Sequence, residues 1–175
     1  MNSLQNLKCG NREQKKVYEA VQSLGVIENF KIYHPVICGT YPIDIYIDES
    51  DIDIIMFVED FQLFSHKLQS HYSDLREFNI KEKIIRNNHI VKAQFDFKGF
   101  TFELFGQNVP VVEQYAYLHM KIENHILDLH PSMKNNIRLL KEAGIKTEPA
   151  FCRLLGIAGD PYEGLINYGR AKGII

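Results

Sequence analysis

Two aspartates separated by a single residue, Asp51 and Asp53, form the most distinctive chemical feature of the sequence. They open an apolar segment, residues 54–58, that is typical of a buried β-strand. Alternate side chains of a strand point to the same face, so both carboxylates should project together. Adjacent carboxylates raise one another's pKa, and a divalent cation removes that repulsion. Hard oxygen ligands of this kind suit Mg²⁺ or Mn²⁺.

A second feature lies upstream, where the apolar run of residues 36–38 ends at Gly39 and Thr40. Glycine allows the backbone to turn sharply and to approach a ligand closely. Backbone N–H groups at this turn, together with the Thr40 hydroxyl, could hold phosphate oxygens. A lone Gly-Thr pair would be interpreted as an ordinary turn, and the downstream aspartates are what favour a phosphate site.

The acidic cluster at residues 48–51 could also be a solvated loop that precedes a strand, because acidic side chains usually lie in solvent. Asp53 argues against this interpretation. It is enclosed by Ile52 and Ile54, and an unpaired charge is unfavourable among apolar neighbours. We therefore predict a functional acid pair.

Glu103 is a further carboxylate in an unusual place. It lies in the predicted strand at residues 100–105, between apolar neighbours, where a charge without a partner is unfavourable. Asp96 is flanked by Phe95 and Phe97 but lies near a predicted hairpin turn, where solvent is close. The plain alternative for Glu103 is a salt bridge to a lysine such as Lys81, Lys83 or Lys92.

The spacing of these motifs resembles a known signature. Gly39-Thr40, ten residues, and then Asp51-Ile52-Asp53-Ile54 is similar to the signature of the DNA polymerase beta-like nucleotidyltransferase superfamily, with Thr40 in place of the usual serine. Most of the chain also resembles a small bacterial family of nucleotidyltransferase-like proteins known as a domain of unknown function. Asp44 stands where we expect glycine in such relatives. The longer resemblance lies in the segments GTYPIDIYIDESDIDII, FELFGQNVPVVEQYAYLHMKIE and LLKEAGIKTEPAFCRLLGIAGDPYEGL.

The resemblance implies a reaction and a set of residues. A nucleoside monophosphate would move from a nucleoside triphosphate to an unknown acceptor hydroxyl. The acceptor could be a small molecule, a protein or an RNA end, and the weak basicity of the chain favours the first two over RNA. The implied catalytic and metal-binding residues are Asp51, Asp53 and Glu103, with Mg²⁺ or Mn²⁺ as cofactor. The implied nucleotide-binding residues are Gly39, Thr40 and Ser50. Asp96 competes with Glu103 as the third acid, and the alternative function is an inactive nucleotide-binding or partner-binding module.

The C-terminal part of the chain has helical periodicity. Tyr115, His119 and Glu123 follow at intervals of four residues, which places them on one helix face. This face could contact the nucleotide or the acceptor, and a hydrogen-bonded His–Glu pair on the helix surface is the alternative. A basic side is formed further on by Arg138, Lys141 and Lys146. We interpret it as a solvated helix face, with a contact to triphosphate or RNA as the alternative.

The predicted fold class is α+β, a nucleotidyltransferase-like mixed β-sheet with helices on one face and a C-terminal helical layer. Residues 1–107 would form the α/β core and residues 108–175 a helical region packed on it, or both would form one single domain. Residues 1–10 are predicted to be irregular. Capping signals predict helix starts at Asn11, Thr147 and Asp160, and Pro110 a first helical turn. Predicted strands lie at 33–38, 52–58, 78–86, 90–97 and 100–105.

Composition excludes several classes of protein. A net charge of −2 over 175 residues argues against broad nucleic-acid binding, which would need a basic face. No apolar run has the length of a membrane span, so we expect no membrane association. Three widely spaced cysteines without a CxxC motif favour a reducing cytoplasm. Paired Cys/His spacing is also missing, so no zinc site is expected.

Overall fold

A computed structural model describes residues 2–85 and 87–175. Its strands are β1 Val36–Cys38, β2 Ile52–Phe57, β3 Arg76–Ile85, β4 Asn88–Phe97 and β5 Phe100–Gln107. Its α-helices are α1 Ser3–Cys9, α2 Arg12–Leu24, α3 Val26–Asn29, α4 Phe61–Tyr72, α5 Tyr115–Leu129, α6 Met133–Glu142, α7 Thr147–Leu155 and α8 Pro161–Ala171. Short 3₁₀ turns occur at Lys31–Tyr33 and Val111–Glu113.

The strands form one mixed sheet in the order β1-β2-β5-β4-β3. Strands β3, β4 and β5 are successive antiparallel neighbours. Strand β5 then pairs with β2 in the parallel direction, and β2 pairs with β1 in the antiparallel direction. This topology gives β2 the second position in the sheet, between the strand that carries the Gly-Thr turn and the strand that carries Glu103.

Helices cover both faces of the sheet, and alternation along β2 assigns its side chains to two hydrophobic clusters. Ile52, Ile54 and Met56 pack in a cluster with α1, α2 and α4. Ile55 packs in a second cluster with helices α5 to α8. These C-terminal helices therefore form the predicted helical layer, and the α+β fold class is confirmed. The division at residue 107 stays a prediction.

Two predicted helix starts are confirmed by their caps. The Asn11 side chain accepts from the backbone N–H of Gln14, and the Gln14 side chain accepts from the backbone N–H of Asn11. At α8 the Asp160 side chain accepts from the backbone N–H groups of Tyr162 and Glu163, and Pro161 occupies the first turn. Such caps satisfy N–H groups that have no partner inside the helix.

Other local predictions were wrong. The first ten residues include helix α1, whose start is capped by the Asn2 side chain. The first strand begins at Val36, because residues 31–33 form a 3₁₀ turn instead. Pro110 precedes a 3₁₀ turn, and α5 begins only at Tyr115.

One helix start and one strand start also differ from the predicted positions. Lys146 rather than Thr147 is the N-cap residue of α7, and its side chain makes no capping bond. The third strand begins at Arg76, earlier than predicted. Its predicted end at Arg86 lies outside the described residues. Within residues 2–85 and 87–175, no helix has the length and apolar character needed to cross a membrane.

Candidate functional site

The parallel pairing of β2 with β5 places Asp53 directly opposite Glu103. Both side chains belong to the same face of the sheet, because directly paired residues of neighbouring strands project in the same direction. Asp51 precedes Asp53 by two residues, so its side chain should project to the same face in an extended chain. The Asp51–Asp53 pair and Glu103, which are far apart in the sequence, are thus brought together on one face of the sheet.

Gly39 packs against the Asp53 carboxylate. It has a φ of +76°, and a Cβ atom built on it would lie 2.2 Å from Oδ2 of Asp53. A contact of that length is too short for any side chain. Glycine is therefore required at this turn for two reasons: the left-handed backbone and the space taken by the Asp53 carboxylate.

The electrostatic field of the group favours a bound cation. Burial, followed by the charges of Glu103 and Asp51, raises the pKa of Asp53 to about 7. Burial and the charge of Glu103 also raise the pKa of Asp51. Ionising both carboxyl groups is unfavourable, because each is desolvated and their negative charges repel one another. A nearby cation would remove this repulsion.

Lys92, from β4, forms an ion pair with Glu103. This is one of the lysine pairs that the sequence offered as an alternative for Glu103. The pair is not enclosed in the core, because 28% of the Lys92 side chain and 20% of the Glu103 side chain stay exposed. Glu103 also lines two cavities. The charge of Glu103 is thus paired with that of Lys92, while the Glu103 side chain stays accessible from both cavities.

Asp96 lies elsewhere on the sheet, opposite Thr101. Arg76 donates to its Oδ2 at 2.6 Å, and the Thr101 hydroxyl donates to its Oδ1 at 2.8 Å. Hydrogen bonds from Thr101 and Arg76 lower the pKa of Asp96. Asp96 is therefore satisfied by its own partners, and of the two candidate third acids only Glu103 faces Asp53.

A polar cavity of about 440 Å³ opens beside the acids, and we call it the lysine cavity. Lys141 reaches it from α6, and its Nζ donates to the Ile45 carbonyl at 2.9 Å and to the Ser50 hydroxyl at 3.3 Å. Burial lowers the pKa of Lys141 to about 8. The cavity is lined by Thr40, Ser50, Asp51, Asp53, Glu103, Lys141, Lys146 and their neighbours.

A second cavity of about 500 Å³, the aromatic cavity, lies on the other side of the acids. Asp53 and Glu103 line both cavities, so the acid group forms the wall between them. The remaining lining of the aromatic cavity includes Phe105, Glu113, Gln114, Tyr115, His119, Glu148 and Tyr162. Two compartments that meet at one set of carboxylates could hold two different reactants.

His119 and Glu123, which share a predicted helix face, have different surroundings. His119 lines the aromatic cavity, where its Nε2 donates to the Tyr162 carbonyl at 2.9 Å and its Nδ1 lies 3.4 Å from Glu148 Oε1. The histidine is thus paired with Glu148 rather than with Glu123. Glu123 is 3% exposed and lines neither cavity, and burial raises its pKa well above the ordinary value.

The donor set suits a divalent cation by chemical type. Asp51, Asp53 and Glu103 offer hard oxygen ligands, which Mg²⁺ and Mn²⁺ prefer. Across the described part of the chain, however, no group of three or more His, Cys, Asp or Glu side chains is arranged so that it could hold a metal ion. Lys92 supplies the positive charge beside Glu103 in this arrangement.

Sequence reasoning did not assign Glu148 to the site. It enters at the first turn of α7, and no motif in the sequence marks it. Lys141 and Lys146 were assigned to a solvated helix face, although both line the lysine cavity. A helical basic side that faces a cavity has the same pattern as one that faces solvent, so only the docking of α6 and α7 distinguishes them.

Several solved structures have a similar fold. The structure of Cid1, an RNA terminal uridylyl transferase, matches with a TM-score of 0.55 and 14% identity over 75% of this chain and 41% of that chain. The GLD-2/RNP-8 complex matches with a TM-score of 0.54 and 13% identity over 85% of this chain and 60% of that one. The polymerase core of TRAMP, an RNA surveillance complex, matches with a TM-score of 0.53 and 15% identity over 89% and 49%.

These likenesses show a nucleotidyltransferase-like fold, while this chain spans only 41% to 60% of the length of those chains. No curated protein matches the sequence. A family model described as "Domain of unknown function (DUF4269)" matches residues 19–168. The matched segment includes the Gly-Thr turn and all three acids. It also includes the lysines that line the lysine cavity and the aromatic residues that line the aromatic cavity. The chain therefore belongs to the DUF4269 family.

Proposed function

We propose that this chain is a metal-dependent nucleotidyltransferase, which moves a nucleoside monophosphate from a nucleoside triphosphate to an acceptor hydroxyl. The observation that carries this proposal is the register of the parallel pair, which sets Asp53 against Glu103 with Gly39 packed on the Asp53 carboxylate. The nucleotidyltransferase-like fold supports it.

Asp51, Asp53 and Glu103 would hold Mg²⁺ or Mn²⁺. When bound, the cation supplies positive charge to the phosphate oxygens and to the leaving pyrophosphate. One similar structure, the Cid1 poly(U) polymerase, is described with MgGTP bound, which supports a nucleotide bound with magnesium here. The raised pKa of Asp53 supports the same assignment, because burial and two neighbouring charges leave that carboxyl in need of a cation.

The lysine cavity would hold the triphosphate. Thr40 and Ser50 offer hydroxyl groups, and Lys141 and Lys146 offer ammonium groups for phosphate oxygens. Lys92, which forms an ion pair with Glu103, would be a further positive charge nearby. These contacts would orient the α-phosphate toward the wall that the two cavities share.

Glu103, which lines both cavities together with Asp53, would accept the proton of the acceptor hydroxyl. The acceptor oxygen forms a bond to the α-phosphorus, and the bond from that phosphorus to the bridging oxygen of the β-phosphate breaks. Pyrophosphate leaves with the electron pair of the broken bond. The products are a nucleoside monophosphate ester and pyrophosphate.

The proposal is tested by incubation of the purified chain with each labelled nucleoside triphosphate, Mg²⁺ or Mn²⁺, and a panel of hydroxyl acceptors. We expect metal-dependent pyrophosphate release, which Asp51→Asn with Asp53→Asn abolishes while the fold is kept. Asp48→Asn is the matched control, because it removes an exposed acid from the same loop. Equal release by the wild type and the double variant would contradict the catalytic assignment.

A second candidate function has its own observation. The Lys92–Glu103 ion pair, together with the lack of a group arranged to hold a metal ion among the described residues, favours a module that binds a nucleotide without turnover. Tight nucleotide binding with no pyrophosphate release at any metal concentration would support it. Under either function we also propose a reducing cytoplasm, in accord with free Cys9, Cys38 and Cys152.

A further inference from the structure

We propose that the acceptor is a small organic cation, with an aromatic or apolar body and a hydroxyl group, and that it binds in the aromatic cavity. This inference rests on the proposed function, because it assigns the second reactant of the same site. It goes beyond that function by giving the acceptor a chemical class, and it separates this chain from enzymes whose acceptor is an RNA end.

The two cavities differ in charge. Lys141 and Lys146 line the lysine cavity beside the acids. The described lining of the aromatic cavity contains no lysine or arginine but includes four carboxylates, from Asp53, Glu103, Glu113 and Glu148. A polyanion such as RNA, which binds through lysine and arginine contacts to its phosphates, would be repelled there. A cation would be attracted.

The asymmetry remains when the metal site is filled. A divalent cation would neutralise Asp53 and Glu103, which leaves Glu113 and Glu148 as the charges of the aromatic cavity. Although burial opposes its charge, hydrogen bonds from His119 and from its own backbone lower the pKa of Glu148. Glu148 therefore remains ionised beside the His119 ring, whose Nδ1 lies 3.4 Å from Glu148 Oε1.

Gln114, which lines the aromatic cavity, has a buried acceptor atom without a hydrogen-bond partner among the described residues. Gln114 is 1% exposed, and its Nε2 donates to the carbonyl oxygens of Met56 at 3.0 Å and Val109 at 2.9 Å. These two bonds fix the orientation of the amide. Its Oε1 is buried and has no hydrogen-bond partner among the described residues. A buried acceptor is costly without a donor, and an ammonium or hydroxyl group supplies one.

The apolar walls define the body of the ligand. Phe105, Tyr115 and Tyr162 line the cavity, and the Tyr115 hydroxyl is held by Glu163 at 2.7 Å. Aromatic faces attract cations as well as flat apolar groups. A volume of about 500 Å³ is that of a small-molecule site. Because Glu103 lines the same cavity, a hydroxyl of the bound cation could reach the proton acceptor that the reaction needs.

Binding of three matched phenols tests the inference without any nucleotide. Tyramine carries an ammonium group, 4-propylphenol is its neutral isostere, and 3-(4-hydroxyphenyl)propanoate is an anion of similar length. Affinities are measured by ligand-observed NMR on the full chain. We expect tyramine to bind about tenfold more tightly than the neutral isostere, as charge-assisted contacts imply, and the anion to bind most weakly.

Variants locate the binding site. Glu113→Gln should weaken tyramine about threefold, as expected for a partly exposed charge pair, and should leave 4-propylphenol unchanged. Glu49→Gln is the matched control, because Glu49 lines the lysine cavity instead. Ala116→Phe fills the aromatic cavity from the exposed surface of α5 and should weaken all three phenols.

The outcomes separate this inference from the proposed function. Equal binding of the three phenols, or tyramine binding that Ala116→Phe leaves intact, would overturn the inference even if the chain binds nucleotide and releases pyrophosphate. So would a short oligonucleotide with a free 3′-hydroxyl that displaces tyramine. If cation-selective binding is found but metal-dependent nucleotide binding is not, the cavity assignment stands and the proposed function fails.

Discussion

Asp53→Asn should stabilise the metal-free protein above neutral pH. In the folded chain, burial and the charges of Glu103 and Asp51 raise the Asp53 pKa from 3.8 to about 7. A shift of about 3 pKa units corresponds to about 4 kcal/mol, because each unit is worth about 1.4 kcal/mol. Asparagine has the same shape without the charge, so it removes this destabilising interaction.

The sign of the effect follows from proton binding. A folded-state pKa above the unfolded value means that the folded protein holds the proton more tightly. The wild type is therefore most stable below pH 4 with respect to this group, and it loses stability as pH rises from about 4 to 7. The advantage of Asp53→Asn should be near zero at pH 4 and reach about 2–4 kcal/mol at pH 8.

Urea denaturation of both proteins in EDTA, from pH 4 to pH 8, measures this difference in the free energy of unfolding. The exposed Asp48→Asn variant is the control, and it should differ little from wild type at either pH. Saturating Mg²⁺ or Mn²⁺ should stabilise the wild type more than Asp53→Asn, because the variant keeps only two of the three carboxylates that would hold the ion. An advantage that is equal at pH 4 and pH 8, or a loss of stability at pH 8, would refute the electrostatic reasoning.

Three further predictions concern single positions. Gly39→Ala should lower nucleotide affinity at least tenfold, because the new methyl group would displace the Asp53 carboxylate. Gly156→Ala is the control, because Gly156 also has a positive φ, of +70°, but no atom lies within 4 Å of a Cβ built there. It should leave nucleotide affinity unchanged in the same titration. Asp44→Ala should be less stable than Asp44→Gly by about 1 kcal/mol in urea, because both lose the ion pairs but only alanine is strained at a φ of +59°. Glu123→Gln should be more stable than wild type at pH 9 and equal at pH 4, because burial raises the Glu123 pKa; a constant difference measured at both pH values would contradict this.

Strand alternation predicted that Asp51 and Asp53 share a face, and it left Glu103 and Asp96 as alternatives for a third acid. Asp51 and Asp53 share a face because of their spacing, and Glu103 was an anomaly because it interrupts an apolar strand. Both are local properties of the chain, so they can be recognised from a single sequence. The parallel register that sets Asp53 opposite Glu103 agrees with that interpretation, although the roles of the three acids remain proposals.

Charges from distant elements could not be predicted in the same way. Lys141 and Lys146 reach the lysine cavity only because α6 and α7 dock beside the sheet. Asp44 illustrates a milder case, since it stands where relatives were expected to carry glycine. Its φ of +59° explains that expectation, and its carboxylate contacts Lys134 at 3.1 Å and Arg138 at 2.8 Å. The aspartate thus keeps a strained turn and ties the loop to α6.

The crossover between β2 and β5 has a consequence for how the protein folds. Parallel strands cannot be joined by a tight turn, so helix α4 and the β3–β4 hairpin lie between Asp53 and Glu103 in the chain. Contacts of large sequence separation form slowly, because loop closure precedes the gain from pairing. If the carboxylates already repel one another in the rate-limiting step, refolding rates in EDTA should fall as these groups ionise. Divalent ions added during refolding should then restore the rate.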